Sequence, residues 1–597
     1  MTTRTDGGEA STQRTREGVL AWSTLAALCA FFVSVGWDRG PDVLVDYGRE
    51  LYVPWRLLEG DRLYADIAWF NGPLAPWTCA LWMRVFGVSL DALQLLDALV
   101  LAATLGLLVR LLSEIADRRA AWVGGLAFLG IFGVSQQEAI GNYLFLAPYS
   151  HGMTFGFAAG LVALLALARS IRTSAAAPPL VGGVAIGLAF LTKAEVFLAV
   201  AASSCAVGLV AVTSERTRGR RGRLVALVAL GIALPIGIAF ARLVSELGAE
   251  AAPLALAGTW PYVVEGGAND LPFYRAMRGT DDLAASLARM GVFTAGTALF
   301  LGAVYAIARR TSVLVAVLVS AGATVAALAF VDTKWLFLPL PIALVVLFVG
   351  GVQEWSRRRS IGSADSPALA LGFLVLAFAL LPKVLFVPLA RQYGFVLVVP
   401  GAMLAVAALM RWIPDRIAPP GRSRDAASAA GAAVVLVVTA AHMYTTAERF
   451  ADKTYTFAAA SDRILTEGWR GRVLSAVERN LAQRLEPDDT LLVVPEGIVF
   501  NYVLRLRTPT PVVNFMPPEL AFFDERAIVA ALQDEPPDVV VVVHRPTDMY
   551  GFPFFGEGYG EELAGWIADN YRRDALFGDE PLEDGLLGAA ILVPRGR

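Results

Sequence analysis

The stretch "SERTRGRRGRLVALVALGIALPIGIAFA" (residues 214–241) decides the class of fold. Five arginines within its first ten residues precede eighteen consecutive uncharged residues. About 20 apolar helical residues cross the roughly 30 Å hydrocarbon core of a bilayer. Basic segments beside such runs mark the cytoplasmic side of a membrane. The stretch therefore predicts a cytoplasmic loop followed by a transmembrane helix.

The composition of the whole chain agrees with this prediction. The chain has 597 residues, of which 56% are hydrophobic and 17% charged, with a mean hydropathy of +0.57. Soluble proteins are about 25% charged, so a single water-soluble globule is excluded. Cys29, Cys79 and Cys205 all lie in apolar stretches, which excludes a disulfide framework and a cysteine-rich metal site.

Thirteen apolar runs are long enough to be transmembrane helices. They begin near Val19, Ala92, Ala120, Gly152, Leu180, Val196, Leu224, Val292, Ser312, Trp335, Ala368, Tyr393 and Ala427. The first run follows Arg4, Arg14 and Arg16 and lacks a clear cleavage site, so we interpret it as an anchor rather than a signal peptide.

One more segment, Gly72–Gly87, is apolar but short and contains Arg84. If it does not cross the membrane, the arginine clusters between the runs all fall on the same side as the N-terminus, as the positive-inside rule requires. We therefore interpret it as an interfacial helix. The predicted fold is a polytopic α-helical membrane protein with about thirteen spans, the N-terminus inside and the C-terminus outside.

Charge divides the chain into two parts. Residues 445–597, called the C-terminal region below, contain 25 acidic and 15 basic residues, whereas the rest of the chain is net positive. We predict a cytoplasmic tail (residues 1–18), a membrane part (residues 19–444) with outer loops at 38–90 and 248–290, and an acidic extracytoplasmic region. Because the inside receives only short basic loops, we expect the chemistry on the outer face.

The C-terminal region has the pattern of a small α/β domain. Apolar runs predict buried strands at Thr490–Val494, Val539–Val543 and Ala589–Val593, and the periodicity of Glu525–Glu535 predicts a helix. It has neither GxGxxG nor a P-loop, which argues against nucleotide binding. We interpret it as a structural or acceptor-docking cap.

The first outer loop is rich in carboxylates. Asp42, Asp46 and Glu50 are spaced four apart, so in a helix they share one face, and Arg49 can orient Asp46. Asp66 follows in the same loop. Carboxylates at an apolar boundary can have raised pKa values and act as bases or metal ligands. The alternative is a solvated loop whose charges pair among themselves.

Further polar residues lie where spans meet the outer face. Tyr149 and His151 precede a span, and as a functional pair they would bind a sugar or a diphosphate-like group; the alternative for His151 is a helix cap. No HExxH motif indicates zinc. Ionisable groups near the outer ends of spans are candidates for holding a phosphate, or else snorkel to the interface. They are Lys193, Glu195, Lys383, Arg391 and Tyr393, with Asp332 and Lys334 at the same level.

Three motifs resemble those of a known family. They are "LYADIAWFNGPL" (Leu63–Leu74), "PYSHG" (Pro148–Gly152) and "LTKAE" (Leu191–Glu195), together with the carboxylate after the first span. The chain resembles the GT-C superfamily of lipid-linked glycosyltransferases, nearest to protein mannosyltransferases and the lipid A aminoarabinose transferase. The resemblance implies sugar transfer, with inversion, from a polyprenyl-phosphate donor to an acceptor on the outer face.

The resemblance also implies roles for individual residues. Asp46 corresponds to the loop acid that acts as general base, with Arg49 orienting it and Glu50 as a weaker second acid. Lys193, Arg391 and Lys383 match only a general need for cations beside the lipid phosphate. From their own positions rather than from the resemblance, Asp66, Tyr149, His151, Glu195 and Tyr393 are expected to bind substrate. The family's acids are adjacent, whereas Asp46 is followed by Tyr47, so no metal site is assigned and a divalent cation, Mg²⁺ or Mn²⁺, stays open.

The expected partners are a polyprenyl-phosphate-linked sugar, a glycan, lipid or protein acceptor, and membrane lipids, without nucleic acid. Ala, Val, Arg and Leu richness with few Lys indicates a high-GC bacterium, hence a plasma membrane. The alternatives are a transporter or flippase, a non-catalytic envelope-assembly scaffold, and a lipid-linked polymer ligase. A transporter predicts midplane charges and two related halves, whereas here the charges gather at the outer rim.

Overall fold

The computed structural model describes residues 6–40, 42–138, 144–265, 270–358, 365–390 and 395–596. Long apolar helices dominate the chain up to residue 451, and a mixed α/β arrangement follows. The chain is a multi-pass membrane protein, as its hydropathy predicts.

Ten helical segments in the described residues are long and apolar enough to cross a membrane. Each coincides with a predicted run. They are Gly18–Gly36, Leu90–Ile115, His151–Arg172, Ala194–Thr213, Glu215–Leu247, Pro272–Ala308, Thr333–Gly350, Pro367–Val384, Val396–Ile417 and Arg422–Ala451. The other three predicted runs form shorter helices at residues 118–133, Ala177–Phe190 and Val313–Leu328. Thirteen spans and their orientation therefore stay a prediction.

The helices of the membrane part are numbered in chain order. They are α1 (Asp6–Gly36), α2 (Tyr47–Glu59), α3 (Leu74–Phe86), α4 (Leu90–Ile115), α5 (Arg118–Ala127), α6 (His151–Arg172), α7 (Ala177–Phe190), α8 (Ala194–Thr213), α9 (Arg221–Leu247), α10 (Ala252–Ala257), α11 (Trp260–Glu265), α12 (Pro272–Arg278), α13 (Leu283–Ala308), α14 (Val313–Leu328), α15 (Leu340–Arg358), α16 (Asp365–Leu380), α17 (Val399–Ala407), α18 (Ile413–Ile417) and α19 (Arg422–Ala451). Wide π-helical turns extend α5 through Gly133 and join α17 to α18.

Helices α7 and α9 approach each other closely at glycines. A Cβ atom on Gly183 would lie 2.2 Å from the Val228 carbonyl oxygen, and one on Gly231 would lie 2.4 Å from that of Leu180. Small residues allow such contact between transmembrane helices, where packing rather than the hydrophobic effect drives association. Helix α7 ends at Phe190 and leads into the turn that contains Lys193.

Helix α3 forms in the segment predicted to be interfacial. Its 13 residues bury Cys79 and Met83 and leave Leu81, Val85 and Phe86 more than half exposed. Its one-sided apolar exposure suits a helix lying against a bilayer, although its placement there remains a prediction.

The C-terminal region contains a four-stranded sheet in the order β3-β4-β6-β5. Its strands are β1 (Tyr455–Phe457), β2 (Ile464–Thr466), β3 (Leu491–Val494), β4 (Val539–Val543), β5 (Tyr571–Gly578) and β6 (Gly588–Pro594), with helices α20 (Gly468–Ala482), α21 (Val499–Leu504), α22 (Pro517–Leu520), α23 (Glu525–Asp534) and α24 (Glu561–Asn570). The three predicted strands and the predicted helix are confirmed. β1, β2 and β5 were not predicted. β1 and β2 have only three residues each, and β5 contains three consecutive charged residues and buries only Tyr571, so none of them has an apolar run.

Strands β3 and β4 are parallel, with Leu491 opposite Val539, and β6 pairs antiparallel with both β4 and β5. One face of the sheet packs on the first outer loop. Tyr47 and Leu51 of α2 share a hydrophobic core with Val493, Val499 and Phe500. The loop and the C-terminal region therefore fold as one packed unit.

Candidate functional site

Asp46 lies at the junction between the first outer loop and the C-terminal region. It immediately precedes α2 and has a φ of 55°, unusual for a residue other than glycine. Its side chain is 23% exposed and accepts a hydrogen bond of 3.2 Å from Arg49 Nη2. Its backbone N–H donates to Glu496 Oε1 at 3.1 Å.

The expected carboxylate face of Asp42, Asp46 and Glu50 does not form. Helix α2 begins only at Tyr47, so Asp42 lies in the preceding turn and pairs with Arg470 at 2.8 Å. The spacing of four is a helical rule, and it fails because two of the three carboxylates precede the helix.

Arg49 joins Asp46 to a carboxylate that the sequence did not suggest. Its Nη1 donates to Glu519 Oε1 at 3.3 Å, and its guanidinium lies 5.9 and 5.7 Å from the ring centroids of Trp69 and Phe70. Burial raises the pKa of Glu519 to about 8, although the Arg49 charge opposes it. Glu519 is therefore largely protonated at neutral pH.

A third carboxylate, Glu496, lies on the other side of Asp46. Its side chain is 4% exposed, and Arg545 Nε donates to its Oε2 at 2.9 Å. Burial raises the pKa of Glu496 to about 7, against the lowering effect of Arg545. Asp46, Glu496 and Glu519 form what we call the carboxylate cluster, and Asp46 is its most exposed member.

Glu50 lies beneath the cluster in a chain of buried polar groups. Its Oε2 accepts hydrogen bonds from the His151 backbone N–H at 3.1 Å and from Nδ1 at 2.7 Å. His151 Nε2 lies 3.0 Å from Asp97 Oδ1. Burial raises the pKa of Glu50, but the bonds and charge of His151 outweigh it, so the pKa is lowered. His151 thus fixes α2 against α4 and α6, which favours a structural role over direct substrate contact.

Cations lie at the N-terminal end of α8. Lys193 is 7% exposed, with its Nζ 5.3 Å from the ring centroid of Tyr149 and 3.8 Å from Glu195 Oε1. Lys383 Nζ donates to the same oxygen at 2.8 Å. Burial lowers the pKa of Lys193, and the Glu195 charge opposes this lowering. Asp46 and Arg49 are close enough to influence the same pKa.

The three sequence motifs meet at this place. Gly72 N–H donates to the Thr192 carbonyl at 2.7 Å, and Leu74 N–H donates to that of Leu191 at 2.9 Å. A Cβ atom on Gly72 would lie 2.3 Å from the Leu191 oxygen, and one on Gly152 would lie 3.3 Å from Lys193 Cγ. The motifs are therefore parts of one structural unit around Lys193.

Not every predicted site residue lies here. Asp66 pairs with Arg62 at 2.8 Å on an exposed turn, which lowers its pKa through the hydrogen bond from Arg62. Asp332 pairs with Lys334 at 3.0 Å. Arg391 and Tyr393 lie outside the described residues.

Sequence reasoning missed Glu496, Glu519 and Arg545. Glu496 and Arg545 each follow, by two residues, the end of one of the two parallel strands β3 and β4. The carboxyl ends of adjacent parallel strands are a frequent position for binding residues. That signal was available in "TLLVVPE" and "VVVVVHR", but nothing local links either to Asp46.

In the part of the chain that the structure describes, no three His, Cys, Asp or Glu side chains are grouped to hold a metal ion. The site combines one partly exposed carboxylate with cations at the N-terminal end of α8. Such a site can accept a proton from a hydroxyl and stabilise a phosphate leaving group.

No family model and no curated protein matches the sequence. Solved structures match its fold. ArnT from Cupriavidus metallidurans in the apo state is 15% identical, with a TM-score of 0.45 over 97% of this chain and 98% of ArnT. Bound to undecaprenyl phosphate, the same protein matches with a TM-score of 0.44 over 95% and 97% of the two chains.

The archaeal oligosaccharyltransferase AglB from Archaeoglobus fulgidus, in complex with an inhibitory peptide and a dolichol-phosphate, is 14% identical. Its TM-score is 0.43, over 87% of this chain and 69% of AglB. At these identities the likeness is one of fold. The alignment with ArnT extends over nearly the full length of this chain, and the alignment with AglB covers 87% of it.

Proposed function

We propose that this protein is an inverting membrane glycosyltransferase. It moves a sugar from a polyprenyl-phosphate donor to an acceptor hydroxyl on the outer face of a bacterial plasma membrane. The observation that carries the proposal is the partly exposed Asp46 carboxylate, hydrogen-bonded to Arg49 and close to the buried cation Lys193, at the outer rim of the spans.

Asp46 is the general base of the proposed reaction. The acceptor oxygen attacks the anomeric carbon from the side opposite the phosphate, its proton passes to the Asp46 carboxylate, and the carbon–oxygen bond to the phosphate breaks. Inversion follows from this single displacement. Arg49 holds the Asp46 carboxylate at 3.2 Å, which fixes its direction before the acceptor arrives.

Lys193 and Lys383 stabilise the leaving phosphate. Both Nζ atoms lie near one Glu195 oxygen, at 3.8 and 2.8 Å, so one carboxylate partly neutralises two cations. Two ammonium groups held beside one carboxylate leave net positive charge for a phosphate as negative charge develops on it. The location suits a donor whose long tail cannot leave the bilayer, since only its phosphate reaches the surface.

Purified protein in liposomes with polyprenyl-phosphate sugars and an envelope extract tests the proposal. Wild type should release free polyprenyl phosphate. Asp46→Asn should release it about 10²-fold more slowly, the lower range for loss of a general base. The control is Asp281→Asn, an exposed acid of the outer loop 248–290, which should match wild type.

The outcomes separate the class of protein from the role of Asp46. Equal release by wild type and Asp46→Asn would remove Asp46 as the base while keeping a lipid-linked transferase. Absence of release by any variant, across several sugars, would overturn the transferase and favour a transporter or scaffold.

A further inference from the structure

The C-terminal region contributes directly to the geometry of Asp46. We propose that Glu496 is a positioning residue that holds the Asp46 backbone in its unusual conformation, so that the C-terminal region completes the catalytic site. This inference rests on the proposed function.

The contact is specific to the backbone of Asp46. The N–H of Asp46 donates to Glu496 Oε1 at 3.1 Å, across 450 positions of sequence, while the Asp46 side chain makes no capping bond to α2. Because a positive φ is disfavoured for a residue with a Cβ atom, contacts with the surrounding structure maintain it. Glu496 is the partner that the C-terminal region supplies to the backbone N–H.

Glu496 is itself held rigidly. Its second oxygen accepts from Arg545 Nε at 2.9 Å, and both side chains follow adjacent parallel strands. The residues that follow Glu496 pack closely against α2. A Cβ atom on Gly48 would lie 2.8 Å from the Val499 nitrogen. The sheet edge therefore fixes where the first turn of α2 begins.

Loss of the hydrogen bond between Asp46 and Glu496 should lower the catalytic rate more than it weakens donor binding. Loss of the hydrogen bond would let the Asp46 backbone relax and move its carboxylate away from the acceptor. A displacement of about 1 Å at a reacting group can cost 10²-fold in rate. Lys193 and Lys383 are paired with Glu195 of α8, so we expect donor binding to be unaffected.

The test compares two double variants, Glu496→Ala/Arg545→Ala and Glu496→Gln/Arg545→Ala. Both lack the buried ion pair, so neither leaves a charge unpaired. They differ in whether residue 496 has a side-chain oxygen that can accept a hydrogen bond from the Asp46 N–H. Gln has such an oxygen and Ala does not. Release of polyprenyl phosphate, donor KM and the unfolding temperature in detergent are measured for each, with Glu535→Ala, an exposed residue of the same region, as control.

We expect Glu496→Ala/Arg545→Ala to lose about 10²-fold in kcat with donor KM unchanged. Glu496→Gln/Arg545→Ala should recover most of that loss. Equal rates for the two pairs, or a loss shared between kcat and KM, would overturn the inference. If neither pair folds, Glu496→Gln against Glu496→Met with Arg545 retained gives the same comparison. An inactive wild type would instead contradict the proposed function itself.

Discussion

Three carboxylates from distant parts of the chain meet around one arginine and one backbone N–H. Asp46 and Arg49 come from the first outer loop, and Glu496 and Glu519 come from the C-terminal region. Burial distinguishes them: Asp46 is the most exposed, while the pKa values of Glu496 and Glu519 are raised to about 7 and about 8. Neutral pH thus favours the protonated form of Glu519, which weakens its competition with Asp46 for Arg49.

The raised pKa of Glu519 predicts how stability depends on pH. The folded state binds this proton more tightly than the unfolded chain, whose glutamates titrate near 4.3. The Glu519 contribution therefore becomes increasingly unfavourable between about pH 4 and pH 8. Glu519→Gln should unfold at a higher temperature than wild type at pH 9 and at a similar temperature at pH 5, measured by tryptophan fluorescence in detergent.

Glu535→Gln serves as the control for this measurement, because Glu535 is exposed in the same region. Its difference from wild type should be the same at both pH values. A Glu519→Gln variant that loses stability relative to wild type as the pH rises would contradict the burial of that carboxyl group.

At the scale of elements, α2 connects the two parts of the molecule. Ion pairs between Asp42 and Arg470 and between Asp38 and Arg463, at 2.8 and 2.6 Å, join the loop before it to the C-terminal region. Tyr52 on the helix accepts from Thr508 N–H at 2.9 Å. The spacing of the carboxylates in the loop is compatible with a helix, but it does not indicate what packs against that helix.

Gly48 is a position of close packing between α2 and the C-terminal region. Gly48→Ala should destabilise the protein by about 1–3 kcal/mol, the usual cost of overpacking, because the new methyl would lie 2.8 Å from backbone. Gly106→Ala in α4, which meets nothing within 4 Å, is the control and should be neutral. The stability of both variants is measured by thermal unfolding and by limited proteolysis of the C-terminal region. Equal stability of Gly48→Ala and Gly106→Ala would contradict close packing at Gly48.

At the scale of the whole molecule, hydropathy divides the chain into a basic membrane part and an acidic C-terminal region. Among the residues that the structure describes, ten helical segments are long and apolar enough to cross a bilayer, and three shorter helices coincide with the remaining predicted runs. An odd number of crossings places the two termini on opposite sides. The chemistry proposed for Asp46 requires the C-terminal region to lie outside.

Cysteine labelling tests this orientation. In a background with Cys29, Cys79 and Cys205 replaced by Ala, Glu535→Cys in the C-terminal region should react with a membrane-impermeant maleimide on intact cells. Glu215→Cys, in the arginine-rich loop before α9 and 78% exposed, should react only after permeabilisation. The reverse pattern would contradict the predicted topology.

The sequence by itself determined the class of the molecule, the positions of its apolar helices and the strands β3, β4 and β6, because all of these are written in local hydrophobic patterns. It also indicated Asp46, Arg49 and Lys193 as candidates. Only the tertiary structure decided that α2 begins after Asp46, that His151 is enclosed between Glu50 and Asp97, and that Glu496 and Glu519 reach the site. These contacts join residues up to 470 positions apart. No local periodicity encodes such contacts, since they depend on how the C-terminal region packs on the first outer loop.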